Sequence, residues 1–248
     1  MSRELRVIPL PGIPELEEGD DLGSLLVEAA ERAGGLEGGD IVVVAQKAVS
    51  KVEGRILHLD HVQPSDRARE LAGDEDARRI EAILQESKRI VRMRPPNLII
   101  AETRHGFVCA SAGVDRSNAK GPDTLILLPL DPDASAHVLR DGIRELAGVD
   151  VGIVVSDSFG RPFRRGTTDV ALGVAGLSGL LDLKGTRDSA GYELHATEIA
   201  VADEIAGAAE LVMGKTEGVP AAIVRGLDVR GDGAGQDLLM PSERDLFR

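Results

Sequence analysis

Four stretches of the chain set charged or hydroxyl side chains at the ends of apolar runs, and chemistry is to be sought there. The first, Gln46-Lys47-Ala48-Val49-Ser50-Lys51, follows the apolar run Ile41 to Ala45 and holds two of only six lysines. At the carboxyl end of a buried strand, two ammonium groups four residues apart can converge on one phosphate chain. A solvated helix face with stray lysines is the competing reading. No G-x-x-x-x-G-K-[ST] occurs, so this is not a P-loop, and the nearest match to G-x-G-x-x-G, starting at Gly231, follows no strand and opens no helix.

The second stretch runs from Ser111 to Asn118. Asp115, Ser117 and Asn118 offer a carboxylate, a hydroxyl and an amide, a set suited to Mg²⁺ or Mn²⁺ held by one or two carboxylates plus substrate phosphates. Taken alone, an Asx-turn closing on its own backbone is the simpler account. The third, Val154 to Thr168, delivers Asp157 and Ser158 at the end of an apolar run and follows them with Arg161, Arg164 and Arg165 around Gly and Pro. A carboxylate beside a hydroxyl suits a hard metal, and an arginine cluster suits phosphate or carboxylate oxygens. A buried Asp–Arg salt bridge fixing the loop is the alternative. The fourth, Met213 to Pro220, joins a helical segment to a strand, and its glycines allow close backbone approach or simply cap the helix. A cap does not explain the further lysine, Lys215. The five histidines show no H-x-x-x-H or H-E-x-x-H spacing, and no G-x-S-x-G elbow is present.

The elements that must position these residues are mixed. Short β-branched runs at 41–45, 98–101, 107–110, 124–128, 151–156 and 222–224 read as strands. Helical periodicity covers 22–33, 75–91 (with Ile80, Ile83, Leu84 and Ile90 on one face), 134–147 and 197–213. The middle of the chain carries consecutive strands with short turns, which argues against a simple doubly wound sheet and for an α+β (mixed α/β) fold. The expected organisation is one domain over 1–227, with room for two lobes, and a tail over 228–248 that stays loose unless a partner holds it.

Composition narrows the partners. The 248 residues are 42% hydrophobic and 29% charged, ordinary for a globular chain with a sizeable core. Asp and Glu number 42 against 29 Lys and Arg, a net charge of −13, so the overall field repels nucleic acid and anionic membranes. No apolar run approaches the roughly 18–20 residues of a membrane span, and the start lacks signal-peptide features; the expected location is the cytoplasm. The single cysteine, Cys109, sits in an apolar run and reads as a buried structural thiol. Aromatics make up only 2%, leaving little for stacking platforms.

Taken in order, PGIPELEEGDDL, VVVAQKAVSKVEGR, SAGVDRSNA, SDSFGRPFRRG and MGKTEGVPAAIVRG resemble the coenzyme F420-0:γ-glutamyl ligase family over roughly Val7 to Gly226. Five motifs in register make the likeness specific. The resemblance implies an α+β fold, a tightly associated homodimer, and use of GTP with Mg²⁺ or Mn²⁺, and of a monovalent cation such as K⁺, to add L-glutamate through γ-linkages to the deazaflavin precursor F420-0. It implies GTP contacts at Pro11, Gly12, Ile13, Pro14, Gln46, Lys47, Lys51, Asn118 and the run Met213, Gly214, Lys215, Thr216, Glu217, Gly218, Val219 and Pro220. It implies a first metal at Asp115 and Asp157 and a second at Ser158. Many relatives carry Ser where Gln46 stands and Thr where Ser158 stands, and some carry a metal-binding Gln where Lys215 stands. The expected reaction passes through an acyl phosphate and releases GDP and phosphate, with Lys47 and Lys51 stabilising charge and no covalent nucleophile. Arg161, Arg164 and Arg165 are candidates for the acceptor by charge and position. A GTP-binding regulatory or assembly protein, or a metal-dependent phosphatase, would use the same residues.

Overall fold

A computed structural model describes residues 4–94 and 98–246. Phe247, one of the few aromatics, lies outside them. The strands are β1 (Arg6–Pro9), β2 (Ile41–Ala45), β3 (Ile56–His58), β4 (Ser87–Arg94), β5 (Leu98–Thr103), β6 (Val108–Ala110), β7 (Thr124–Ile126), β8 (Gly152–Gly160), β9 (Thr167–Ala175), β10 (Leu181–Asp182), β11 (Glu198–Ile199) and β12 (Ala221–Arg225). The α-helices are α1 (Leu22–Arg32), α2 (Gln46–Val52), α3 (Asp66–Ala72), α4 (Ala77–Gln85), α5 (Pro132–Ala147) and α6 (Val201–Met213). The fold is α+β, as the mixed pattern predicts.

The main sheet has the order β1-β12-β2-β8-β9, with β2 and β8 parallel and the other neighbours antiparallel. Alternation along β2 sorts its apolar side chains to two cores. Val42 and Val44 pack with Leu26, Ala30, Leu139 and Ile143 of α1 and α5, while Ile41 and Val43 pack with Ala202, Ile205 and Ala209 of α6. A strand covered on both faces must be apolar throughout, which is why β2 and the first half of β8 read as unbroken hydrophobic runs. Helix starts follow capping chemistry: Asp21 and Asp131 accept backbone N–H groups at the heads of α1 and α5, and Gly148 ends α5 in the left-handed conformation.

The middle of the chain builds a third core from Leu59, Ile80, Ile83, Ile99, Ala101 and Leu125, under α3, α4, the pair β3–β7 and the sheet β4-β5-β6. Phe107 and Leu128 from this part meet Leu172 of β9, joining it to the main sheet. Cys109 is buried there, as its apolar surroundings predict, and burial, with the nearby Asp157 charge, pushes its thiol up to about 12.

Two expectations are corrected. The helical stretch over 75–91 ends at Gln85, and residues from Ser87 pair with β5 instead. Ile90 and Val91 are β-branched, and Arg89 bonds Glu102 across the ladder at 2.8 Å, so the cross-strand partners override the helical spacing. The tail is not loose in its first half: Ser178 N–H bonds Val229 O at 2.8 Å, Gly233 N–H bonds Leu177 O at 3.0 Å, and a short 3₁₀ turn covers Gly235–Leu238. A Cβ at Gly235 would lie 2.1 Å from Leu172 O, so glycine there is what lets the tail lie against β9.

Candidate active site

The parallel strands β2 and β8 end side by side, Ala45 opposite Ser156. Beyond their carboxyl ends lies a cavity of about 500 Å³, within the roughly 300–1,000 Å³ of small-molecule sites. Its walls come from the segment after β1, the β2–α2 junction, the β8–β9 hairpin and the loop from α6 to β12. Ligands of open sheets sit at this kind of place, where strand carboxyl ends leave backbone and helix starts exposed.

Most residues expected from the sequence meet there. Ile13 and Pro14 reach the cavity, whereas the carbonyls of Pro11 and Gly12 turn to Arg32, at 3.4 and 3.3 Å. Gln46, Lys47 and Lys51 line it from α2, and Asn118 from the turn before β7. Met213, Gly214, Lys215, Thr216, Gly218, Val219 and Pro220 form another wall; Glu217 stands outside, within 3.2 Å of the Thr216 hydroxyl. Three of the six lysines thus face one cavity in a strongly acidic chain. The segment after β2 is a helix, but Gln46, Ser50 and Lys51 are buried in it, which removes the solvated-face reading.

Two of these cations, Lys47 and Lys51, are held by acids. Lys47 Nζ lies 2.7 Å from Asp115 Oδ2 and also meets Ser117 Oγ and, at 3.4 Å, Asn118 Oδ1. Asp115 does form the anticipated Asx-turn, accepting Ser117 N–H at 2.9 Å, and the turn places Asn118, at φ 61°, on the cavity. Burial would raise the Asp115 carboxyl, but hydrogen bonds from Lys47 and Ser117 outweigh it and hold it below its ordinary range. Lys51, 11% exposed in its side chain, pairs with Glu15 at 2.6 Å. Gln46 is 1% exposed; its Oε1 accepts the Ser50 hydroxyl at 2.9 Å, and its buried Nε2 has no hydrogen-bond partner among the described residues.

Asp157 is the perturbed group. Burial, reinforced by the Asp169 charge, pushes its carboxyl from 3.8 to about 6, against the opposing pull of the Ser158 N–H, Lys47 and Lys215. Its charged surroundings are those lysines, not the arginines of the hairpin. Arg161, Arg164 and Arg165 stand exposed on the β8–β9 turn, where Arg161 donates to Arg165 O at 2.9 Å. They do not line the cavity.

Sequence reasoning missed Asp169 and Ser156. Asp169, 6% exposed, accepts the hydroxyls of Ser156, at 3.2 Å, and Ser158, and Ser158 also accepts from Lys215 Nζ. Hairpin register links them once β9 is recognised, because a turn over 161–166 pairs Ser158 directly with Asp169. Glu15 and Glu210, also on the cavity, carried no such signal.

Among the described residues no three His, Cys, Asp or Glu side chains converge so as to hold a metal by themselves. Asp115 and Asp157 flank Lys47 and supply hard oxygens, a set that fits Mg²⁺ or Mn²⁺ when phosphate oxygens complete the shell. Among the described residues no helix is long and apolar enough to cross a membrane.

The family model for F420-0:Gamma-glutamyl ligase matches residues 12–226. The chain is 46% identical to the Coenzyme F420:L-glutamate ligase of Methanopyrus kandleri, covering 98% of both chains. It is 46% identical to that of Methanothermobacter thermautotrophicus, over 98% of this chain and 99% of the relative. With the Archaeoglobus fulgidus enzyme of the same name it shares 40%, over 98% and 96%. With a matching family model over most of its length and relatives this similar end to end, the chain belongs to the F420-0:gamma-glutamyl ligase family.

Proposed function

We propose that this protein is a GTP- and divalent-metal-dependent ligase that adds L-glutamate to coenzyme F420-0 through γ-linkages, releasing GDP and phosphate. The observation that carries the reading beyond family membership is the cavity's charge plan. Lys47, Lys51 and Lys215 line a cavity of about 500 Å³ together with Asp157 and Asp169, and Asp115 pairs with Lys47 at 2.7 Å.

The backbone of 213–220 and the Ile13–Pro14 turn shape the pocket for GTP, and Gln46, Lys47, Lys51 and Asn118 offer donors to its phosphates. Asp115 and Asp157 would hold the metal, which when bound would neutralise phosphate charge and align the transferring group. Lys47 then exchanges its contact with Asp115 for the phosphoryl oxygens. An oxygen of the acceptor carboxylate bonds to the γ-phosphorus as the bond to GDP breaks. The amino group of glutamate next attacks the acyl carbon, phosphate departs, and the nitrogen gives up a proton. No step needs a protein nucleophile. Arg161, Arg164 and Arg165 offer cations to the acceptor's phosphodiester or carboxylates. The working unit is a homodimer, checked by light scattering at assay concentration.

Incubation with F420-0, L-glutamate, GTP, Mn²⁺ and K⁺, leaving out one component at a time, tests the reading by mass spectrometry. The expected product gains mass in glutamate-residue steps only when GTP, metal and glutamate are all present. Phosphate release from GTP that continues without an acceptor and yields no heavier product would assign the site to a phosphatase instead.

A further inference from the structure

This inference rests on the nucleotide-and-metal reading. Lys215 sits on an exposed loop, yet its ammonium turns into the cavity and donates to Ser158 Oγ. The Ser158 hydroxyl in turn donates a hydrogen bond to Asp169 Oδ1, and the other oxygen of Asp169 accepts the Ser156 hydroxyl at 3.2 Å. The chain Lys215 to Ser158 to Asp169 is therefore complete, each donor matched to an acceptor. The Lys215 charge also acts on Asp157, the residue before Ser158 on β8.

Two places in the cavity could hold a cation, and they differ. Beside Lys47, the carboxylates of Asp115 and Asp157 together give a divalent ion enough negative charge to displace an ammonium. At Ser158 the oxygen that carries the ammonium is a neutral hydroxyl, and each oxygen of the neighbouring Asp169 already accepts a serine hydroxyl. A divalent ion bound to that hydroxyl would lie next to the Lys215 ammonium, already seated on the same oxygen, and the two like charges would repel at contact distance. A tethered ammonium also requires none of the dehydration that Mg²⁺ resists.

We propose that the Lys215 ammonium is a built-in cation occupying the position of a second divalent ion at Ser158, so that this protein binds a single divalent ion per chain with its nucleotide. Positive charge on that side of the phosphates then comes from the protein and is independent of metal concentration.

The test is a Mn²⁺ titration followed by electron paramagnetic resonance, with saturating GDP, on the wild type and on Lys215→Gln, whose amide oxygen can serve as a metal ligand. The expected result is one Mn²⁺ per chain in the wild type and two in the variant, with the Mn²⁺ dependence of turnover changing from hyperbolic to sigmoidal. Two ions in the wild type, or one in both proteins, overturns the proposal while leaving the metal-dependent reading intact. No bound Mn²⁺ in either protein overturns that reading and this inference with it. Lys215 is exposed on a loop, and matching melting curves establish that the variant folds.

Discussion

Gln46 presents a buried amide nitrogen to the cavity while its oxygen is tied to Ser50, a residue that is itself fully buried. Ser50 therefore fixes which end of the amide is left for a ligand of the cavity. Ser50→Ala should raise KM for GTP by about 2- to 10-fold, the worth of one neutral hydrogen bond, with kcat nearly unchanged. Steady-state kinetics checks this, and Ser50→Thr should restore KM; a fall in kcat at constant KM would refute the positioning role. Asp157 makes the opposite kind of statement. Its carboxyl titrates near 6 in the folded chain against an ordinary 3.8, so the folded state binds the proton more tightly than the unfolded chain does. The sign follows: this group lowers stability as pH rises from about 4 to about 6, by at most about 3 kcal/mol, and the penalty stays in force above that window. Asp157→Asn should raise the Tm of the ligand-free protein at neutral pH, flatten its pH dependence between those values, and abolish ligation. Calorimetric scans across pH check this. An unchanged Tm at neutral pH would show that the carboxylate is not strained in the fold.

The elements differ in how openly the sequence declares them. β2 and β8 are covered on both faces, so their apolar runs could be read directly, and with them the places where Lys47, Asp157 and Ser158 emerge. β9 was not legible. Its Ala171, Gly173 and Ala175 are poor strand formers on their own, and they are small because helices crowd them. A Cβ at Gly173 would lie 2.0 Å from Pro132 O, a conflict only the assembled structure reveals. With β9 unseen, Asp169 was unseen too. Gly173→Ala should therefore push α5 off the sheet and destabilise the protein on the order of 3 kcal/mol or more, read as a large fall in Tm or loss of soluble protein. A Tm within a degree or so of wild type would mean that α5 does not press on β9. The α4–β4 boundary failed for another reason: the periodicity through Ile90 is genuine, but pairing with β5 decides its state.

At the scale of the molecule, stability and chemistry occupy opposite ends of the main sheet. Arg225, at the end of β12 remote from Pro220, binds buried Asp40 at 2.7 Å, Glu37 at 2.5 Å and Gly35 O at 2.8 Å, locking the α1–β2 connection. Removing it strands the Asp40 carboxylate, which is 1% exposed in its side chain, and such a loss costs about 3–5 kcal/mol. Arg225→Ala should lower denaturant resistance by that much and leave KM for GTP unchanged; an altered KM would show that the two ends are coupled. At the cavity end, three lysines gathered in a chain of charge −13 make sense if a phosphoryl group is handed across them. The most direct test of that claim is heavy-oxygen transfer from a labelled F420-0 carboxylate, followed by mass spectrometry of the inorganic phosphate. One labelled oxygen appearing in phosphate for each first glutamate added is the result this account predicts, because the acceptor oxygen leaves with the phosphoryl group. Unlabelled phosphate formed alongside normal product would contradict it.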